Sequence, residues 1–255
     1  MGVMLAALAA ALAFASPASY LQSEQHADGG WGDSSLTAWA ALGLRAARAD
    51  TGGALGYLVA HEAELAKPTD VALAALAEAA LGHGTDALLA RLPKSPTLVN
   101  EAIWSILAYR QAGKAAPRSF VRYVLASQAG NGGFSWTRHG APDSNDTAAA
   151  IEALRAAGVN GKPVARALAS LRRFENRDGG FALSAGRASD AQSTAFAIQA
   201  FVAARTTPPR AAFAFLASLR RPDGSYSYSR AYATTPVWVT AQVLPALVKR
   251  PFPLR

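Results

Sequence analysis

Four segments of this chain share one register, and no other feature constrains its fold as strongly. Gln25-His-Ala-Asp-Gly-Gly-Trp31, Gln128-Ala-Gly-Asn-Gly-Gly-Phe134, Glu175-Asn-Arg-Asp-Gly-Gly-Phe181 and Arg220-Arg-Pro-Asp-Gly-Ser-Tyr226 each place a long polar residue six positions before an aromatic one. They are followed by Thr37-Ala38, Thr147-Ala148, Thr194-Ala195 and Thr240-Ala241, and Pro117, Pro163 and Pro209 precede the last three at intervals of 46 residues. A fixed period of that length marks a stacked repeat, in which each unit buries its apolar face only against its neighbours.

Each period carries two kinds of helix. Over residues 117–128, Phe120, Val121, Val124 and Leu125 fall on one stripe with Arg118 and Arg122 opposite, the pattern of a helix that covers a core. Residues 147–157 are apolar nearly all round, and Gly158 stands where a helix ends in a left-handed residue, so this second helix is enclosed. Weaker copies align on the same glycine: Val71 precedes Gly82, and Ala102 precedes Gly113, by the 11 residues that separate Thr147 from Gly158. The register predicts six inner helices, at 35–47, 70–81, 100–112, 145–157, 192–204 and 237–248, each preceded by an outer helix, the first short and the third compressed into 85–91. With 61 Ala and few Val, Ile or Thr, the chain is expected to be all-α. Six enclosed helices, each backed by an amphipathic one, bury their faces by closing into a double ring. At 255 residues and 51% hydrophobic content the chain has the core for one such domain over residues 19–249, with an apolar segment at 1–18 and a short tail at 250–255.

The Gln-x5-aromatic register with Asp-Gly-Gly, followed by a Thr-Ala helix, resembles the QW repeats of squalene-hopene cyclases and the related protein prenyltransferase β-subunits. The resemblance covers about residues 20–249 and is strong in the first, fourth, fifth and sixth hairpins; the second and third lack the Gly-rich turn. It implies the α6/α6 toroid of the terpenoid cyclase/prenyltransferase group. It also implies a structural role for Gln25, Trp31, Gln128, Phe134, Phe181 and Tyr226, in clamps where Gln stacks on the aromatic ring and ties an outer helix to the turn.

Class II cyclases of that family protonate a carbon–carbon double bond with the middle Asp of an Asp-x-Asp-Asp-Thr-Ala motif. Here Asp143-Ser144-Asn145-Asp146-Thr147-Ala148 stands in that place. The acid's position holds Asn145, whose amide offers a hydrogen bond but no proton. Asp33, Asp143 and Asp190 each precede a repeat Thr by four residues, which reads as an N-cap repeated with the fold. The prenyltransferases hold zinc with an Asp, a Cys and a His. This chain has no Cys and four scattered His, so neither a metal nor a cofactor is expected. Neither parent activity transfers.

One asymmetry is left once the repeat is subtracted. The residue before the repeat-Thr position is Asp70, Glu101 and Asp146 in the second, third and fourth units, but Leu36, Ser193 and Val239 in the others. Packed helices lie about 8 to 10 Å apart, so the three acids are expected on one arc of the mouth, as a site for a cation or basic group or as an acid/base pair. The plainer alternative is that acids favour the first turn of any helix. Trp39, Trp104, Phe196 and Trp238 either fill the ring or line a lumen whose aromatic faces suit an isoprenoid chain or a cation. Arg138 and His139, in the long turn after Phe134, are candidates for an anionic head group.

The net charge of +8 is spread along the chain without a basic run, so no nucleic-acid partner is expected. Val3–Ala15 is an apolar stretch of 13 residues, too short to span a membrane. Ala13-Phe14-Ala15 ahead of Ser16-Pro17 resembles a signal cleavage site, although no basic residue precedes the apolar run. Secretion or cell-surface localisation is the expectation, with the cytoplasm as the alternative. The leading functional reading is a non-catalytic toroid that binds an apolar or isoprenoid-like ligand in its central cavity. The second is a divergent enzyme, either a terpene cyclase or isomerase using Asp146, or a glycan-processing enzyme using Glu101 and Asp146. The third is a scaffold or a cobalamin-carrier-like module.

Overall fold

The computed structural model describes residues 15–254, and the expected leader segment up to Phe14 lies outside them. Six long helices carry the inner layer: α2 (Ser34–Ala46), α4 (Pro68–Ala80), α6 (Val99–Gln111), α8 (Ser144–Ala156), α10 (Ala191–Ala203) and α12 (Pro236–Leu247). They alternate with six outer ones: α1 (Pro17–Ser23), α3 (Ala54–Ala60), α5 (Asp86–Arg91), α7 (Arg118–Ala126), α9 (Lys162–Leu171) and α11 (Arg210–Ser218). Each inner helix packs on the next in chain order, and α12 packs on α2, which closes the ring. The all-α toroid is therefore the fold. Its inner helices fall within two residues of the periods read from sequence, and α4 starts early because Pro68 occupies its first turn.

The repeat Thr explains the register. Its buried hydroxyl accepts the backbone N–H of the clamp aromatic: Trp31 to Thr37 at 3.0 Å, and Phe134 to Thr147, Phe181 to Thr194 and Tyr226 to Thr240, each at 2.9 Å. A turn and the helix after it are thereby locked as one unit, because a buried N–H without an acceptor costs about 1–3 kcal/mol. The Gln clamps act between units, through carbonyl acceptors. The Gln128 amide donates to Gly132 O at 2.9 Å in its own turn and to Pro163 O at 2.8 Å in the next outer helix. Gln25 does the same to Gly29 O at 2.8 Å and Thr51 O at 3.1 Å. At the sixth turn Arg220 reaches Ala15 O at 2.9 Å, so the last repeat is tied to the segment that opens the first.

Only glycine fits where the turns touch. Gly132 sits at φ +92°, and a Cβ there would lie 2.4 Å from Arg166 O; at Gly224, φ +90°, it would lie 2.6 Å from Ala15 O. The C-terminal residues, read as a tail, are folded into the ring. Phe252 is 3% exposed, 6.1 Å from the Trp39 ring between centroids, and its N–H donates to Glu152 Oε2 at 2.7 Å. Leu254 N–H donates to Gln111 Oε1 at 2.6 Å. Apolar residues at 252 and 254 thus cover the inner helices near their C-terminal ends.

Candidate functional site at the N-terminal mouth of the ring

Inner helices present two positions to the ring axis, two residues before and two residues after the repeat Thr. The spacing of four puts both on one helix face. The later position supplies Trp39, Trp104 and Phe196, which meet edge to face at centroid distances of 5.3, 6.1 and 6.4 Å. Such contacts add about 0.5–1.5 kcal/mol each to ordinary burial, so this triad is a firm plug across the lumen. Toward the helix N-termini, the plug is the floor of a cavity of about 370 Å³. Asn100, Asn145, Gln192 and Trp238, from the earlier position, stand on its wall with Asp146 and Gln242.

The rim comes from loops that reach backwards around the ring. Trp136 O accepts the N–H groups of Val99 and Asn100 at 3.0 and 3.3 Å, Leu183 O accepts that of Ser144 at 3.0 Å, and Tyr228 O accepts that of Ala191 at 2.7 Å. Each acceptor lies two residues after a clamp aromatic and satisfies orphan donors of the preceding inner helix. The arrangement holds Trp136, 51% exposed, and Leu183, 43% exposed, over the cavity as apolar lips. In the first unit Asp33 occupies that place and caps α2 itself, with Leu36 N–H donating to its carboxylate at 2.7 Å.

The polar side of the wall is a hydrogen-bonded chain. Asp143 caps α8 by accepting the Asp146 N–H at 2.8 Å, and Asp146 accepts from the Asn100 amide at 2.8 Å. Burial, and then the neighbouring charge of Asp146, push Asp143 up to about 8. Asn145 lines the cavity beside it as an amide. Gln242 is 1% exposed, and its Oε1 is buried without a hydrogen-bond partner among the described residues.

The three acids do not gather at the mouth. Asp70, Glu101 and Asp146 occupy equivalent positions, but these are one residue off the lumen register, about 100° around the helix. Of the three only Asp146 lines the cavity, meeting Asn100 in place of Glu101. Glu101 is buried, with Oε2 accepting the Thr97 hydroxyl at 3.1 Å and Oε1 without a partner. Asp70 is half-buried and outside the lining. Arg138 lies over the Tyr123 ring at 5.3 Å, and His139 is exposed at φ +66°; neither lines the cavity. Trp39, Trp104, Phe196 and Trp238 are brought together as the sequence placed them. Asn100, Gln192 and Gln242 were missed, although the same four-residue step from the aromatics points to them. Trp136 and Leu183 carry no helical signal, because loop hydrogen bonds across units position them.

Among solved structures, a type II terpene cyclase from Scytonema, MstE, superposes with a TM-score of 0.70 at 17% identity over 91% of this chain and 95% of its own. An ent-copalyl diphosphate synthase from Streptomyces platensis gives 0.62 at 21% identity, over 85% of this chain. This chain spans 50% of that synthase. Protein geranylgeranyltransferase-I from Candida albicans gives 0.59 at 13% identity, over 90% and 85% of the two chains. The chain has the terpene cyclase and prenyltransferase fold. No family model and no curated protein matches its sequence. Among the described residues, no helix is long and apolar enough to cross a membrane.

Proposed function

We propose that this protein is a non-catalytic toroid that binds an apolar, isoprenoid-like ligand bearing one neutral hydrogen-bonding group. The observation that carries this reading is the pairing of an aromatic floor with an amide, Asn145, where the related cyclases place their acid. Trp39, Trp104 and Phe196 offer ring faces and edges to a hydrocarbon chain, and Trp136 and Leu183 offer apolar lips. At about 370 Å³ the cavity is at the small end of the range for organic ligands, about 300–1,000 Å³. The wall supplies the carboxyls of Asp143 and Asp146 and the amides of Asn145 and Asn100, a set suited to a hydroxyl or carbonyl. Structural neighbours were captured with ligands that share an isoprenoid chain: geranylgeranyl dihydroxybenzoate in a variant of the Scytonema cyclase, and GGPP in the Candida transferase.

Protonating an isolated alkene needs a carboxylic acid aimed at the carbon, and the position where the related cyclases place theirs holds the amide of Asn145. The glycan-processing pair is not assembled because Glu101 is outside the lining. We further propose that the chain is exported.

Geranylgeraniol titrated into the protein should quench tryptophan emission, since Trp39, Trp104, Trp136 and Trp238 of the five tryptophans line the cavity. Incubation with squalene or geranylgeranyl diphosphate should yield no cyclic product by gas chromatography. A cyclic terpenoid that disappears in Asp146→Ala would overturn the non-catalytic reading in favour of Asp146 as acid.

A further inference from the structure

Away from the mouth, the second repeat departs from the other five at one buried position. Each inner helix ends in the same motif, in which the residue after the left-handed one donates its N–H to the carbonyl of the residue five back. The pairs are Ala49 to Leu44, Lys114 to Tyr109, Val159 to Leu154, Thr206 to Phe201 and Arg250 to Pro245, each at 2.9 Å. This is the Schellman closure, which ordinarily brings an apolar contact between the two residues it joins. In the second repeat the pair is His83 to Glu78, also at 2.9 Å. Leu, Tyr, Leu, Phe and Pro are thus replaced by a carboxylate, and the partner position carries an imidazole.

Glu78 is 0% exposed, and among the described residues neither of its carboxylate oxygens has a hydrogen-bond donor. Burying such a group unpaired costs several kcal/mol or more, and here a second carboxylate, that of Glu62 in the turn after α3, faces it. Ligand atoms of Glu62, Glu78 and His83 all lie within 4.8 Å of one another. Among the described residues, the one salt bridge, Lys114 to Asp86, is made elsewhere.

We propose that Glu62, Glu78 and His83 bind a divalent transition-metal cation, with zinc as the best match to two carboxylates and one imidazole. Tetrahedral zinc takes oxygen and nitrogen donors at about 2.0–2.2 Å, so the three side chains need to close by about an ångström, with water as the fourth ligand. An imidazole donor disfavours magnesium and calcium, which select oxygen. The ion would neutralise the buried carboxylate and pin the turn after α3 to the end of α4. Glu62 and His83 are at least partly accessible, which gives the cation an entry path. The sequence spacing hid the site, because Glu62 comes from a separate turn of the outer layer.

The test uses untagged full-length protein, stripped with a chelator and titrated with zinc alone against a chromophoric competitor. One zinc per chain is expected, along with a rise in melting temperature of about 5–10 °C at a hundredfold excess over the dissociation constant. Magnesium at millimolar concentration should not displace it. Affinity should fall at least tenfold in His83→Ala, whose exposed side chain leaves folding intact, and at least tenfold in Glu78→Gln. Less than half an equivalent bound, or unchanged affinity in His83→Ala, would overturn the assignment even if Glu78→Gln failed to fold.

Discussion

Replacing Glu152 with Gln isolates the electrostatic cost of the contact that seats the C-terminal segment. Glu152 is 1% exposed on α8 and accepts the Phe252 N–H at 2.7 Å. Burial pushes its carboxyl from 4.5 up to about 8, a rise that the Phe252 hydrogen bond only partly offsets. The folded state therefore holds one proton more than the unfolded chain between those two values. Stability associated with Glu152 is full below about pH 4.5 and declines as pH rises, by at most about 1.4 kcal/mol per unit, until the folded carboxyl ionises near pH 8. Across the whole window the ceiling is about 5 kcal/mol, and water reaching the ionised group lowers the expected loss to about 2–4 kcal/mol. Gln keeps the shape and the acceptor for Phe252 but does not titrate. Glu78 and Asp143 are shifted the same way and contribute to both proteins, so the informative quantity is the difference between wild type and variant. Urea unfolding at pH 5, 6, 7, 8 and 9 measures it. Glu152→Gln should gain on wild type steadily from pH 5 to 8 and then level off. A difference constant to within about 0.5 kcal/mol over this range would show that Glu152 is already ionised in the folded protein, and the account of the buried contact would be wrong.

Trp104→Ala removes one member of the plug and should cost about 3–5 kcal/mol of stability while weakening binding of geranylgeraniol at least tenfold, read by urea unfolding and by fluorescence of the remaining tryptophans. Affinity equal to wild type would place the ligand elsewhere. Gly132→Ala should destabilise by more than 2 kcal/mol, because its Cβ meets Arg166 O at 2.4 Å, whereas Gly158→Ala, at φ +86° with nothing within 4 Å, should lose only about 1–2 kcal/mol for the left-handed backbone; calorimetry ranks the two. For export, the mature N-terminus is expected at Ser16 and not Ser19: a cut after Ala15 gives up the Arg220 contact to Ala15 O but keeps the Ser16 cap of α1, whereas a cut after Ala18 would also remove the start of that helix. N-terminal sequencing decides it, and an intact Met1 or Gly2 on intracellular protein would reject the export proposal.

The fold was legible in the sequence because its determinants are local and repeated. A Thr that receives the aromatic N–H, a glycine forced to positive φ and an apolar helix of fixed length recur at a constant interval, and only a closed stack of such units covers every inner helix. The same locality revealed Trp39, Trp104 and Phe196, since an aromatic on an enclosed helix has nowhere to point but inward or against a neighbour. What the sequence left undecided is the phase of each helix about the ring axis. One residue turns a side chain by about 100°, so Glu101 and Asn100 exchange roles at the cavity wall on a difference that the packing of α6 between α4 and α8 settles. Contacts between units were hidden for a related reason. The fold-back of Phe252 under Trp39 and the approach of Glu62 to Glu78 and His83 join segments whose separation in the chain carries no period, and the lips at Trp136 and Leu183, although they recur two residues after the clamp aromatics, are placed only by hydrogen bonds to the preceding unit.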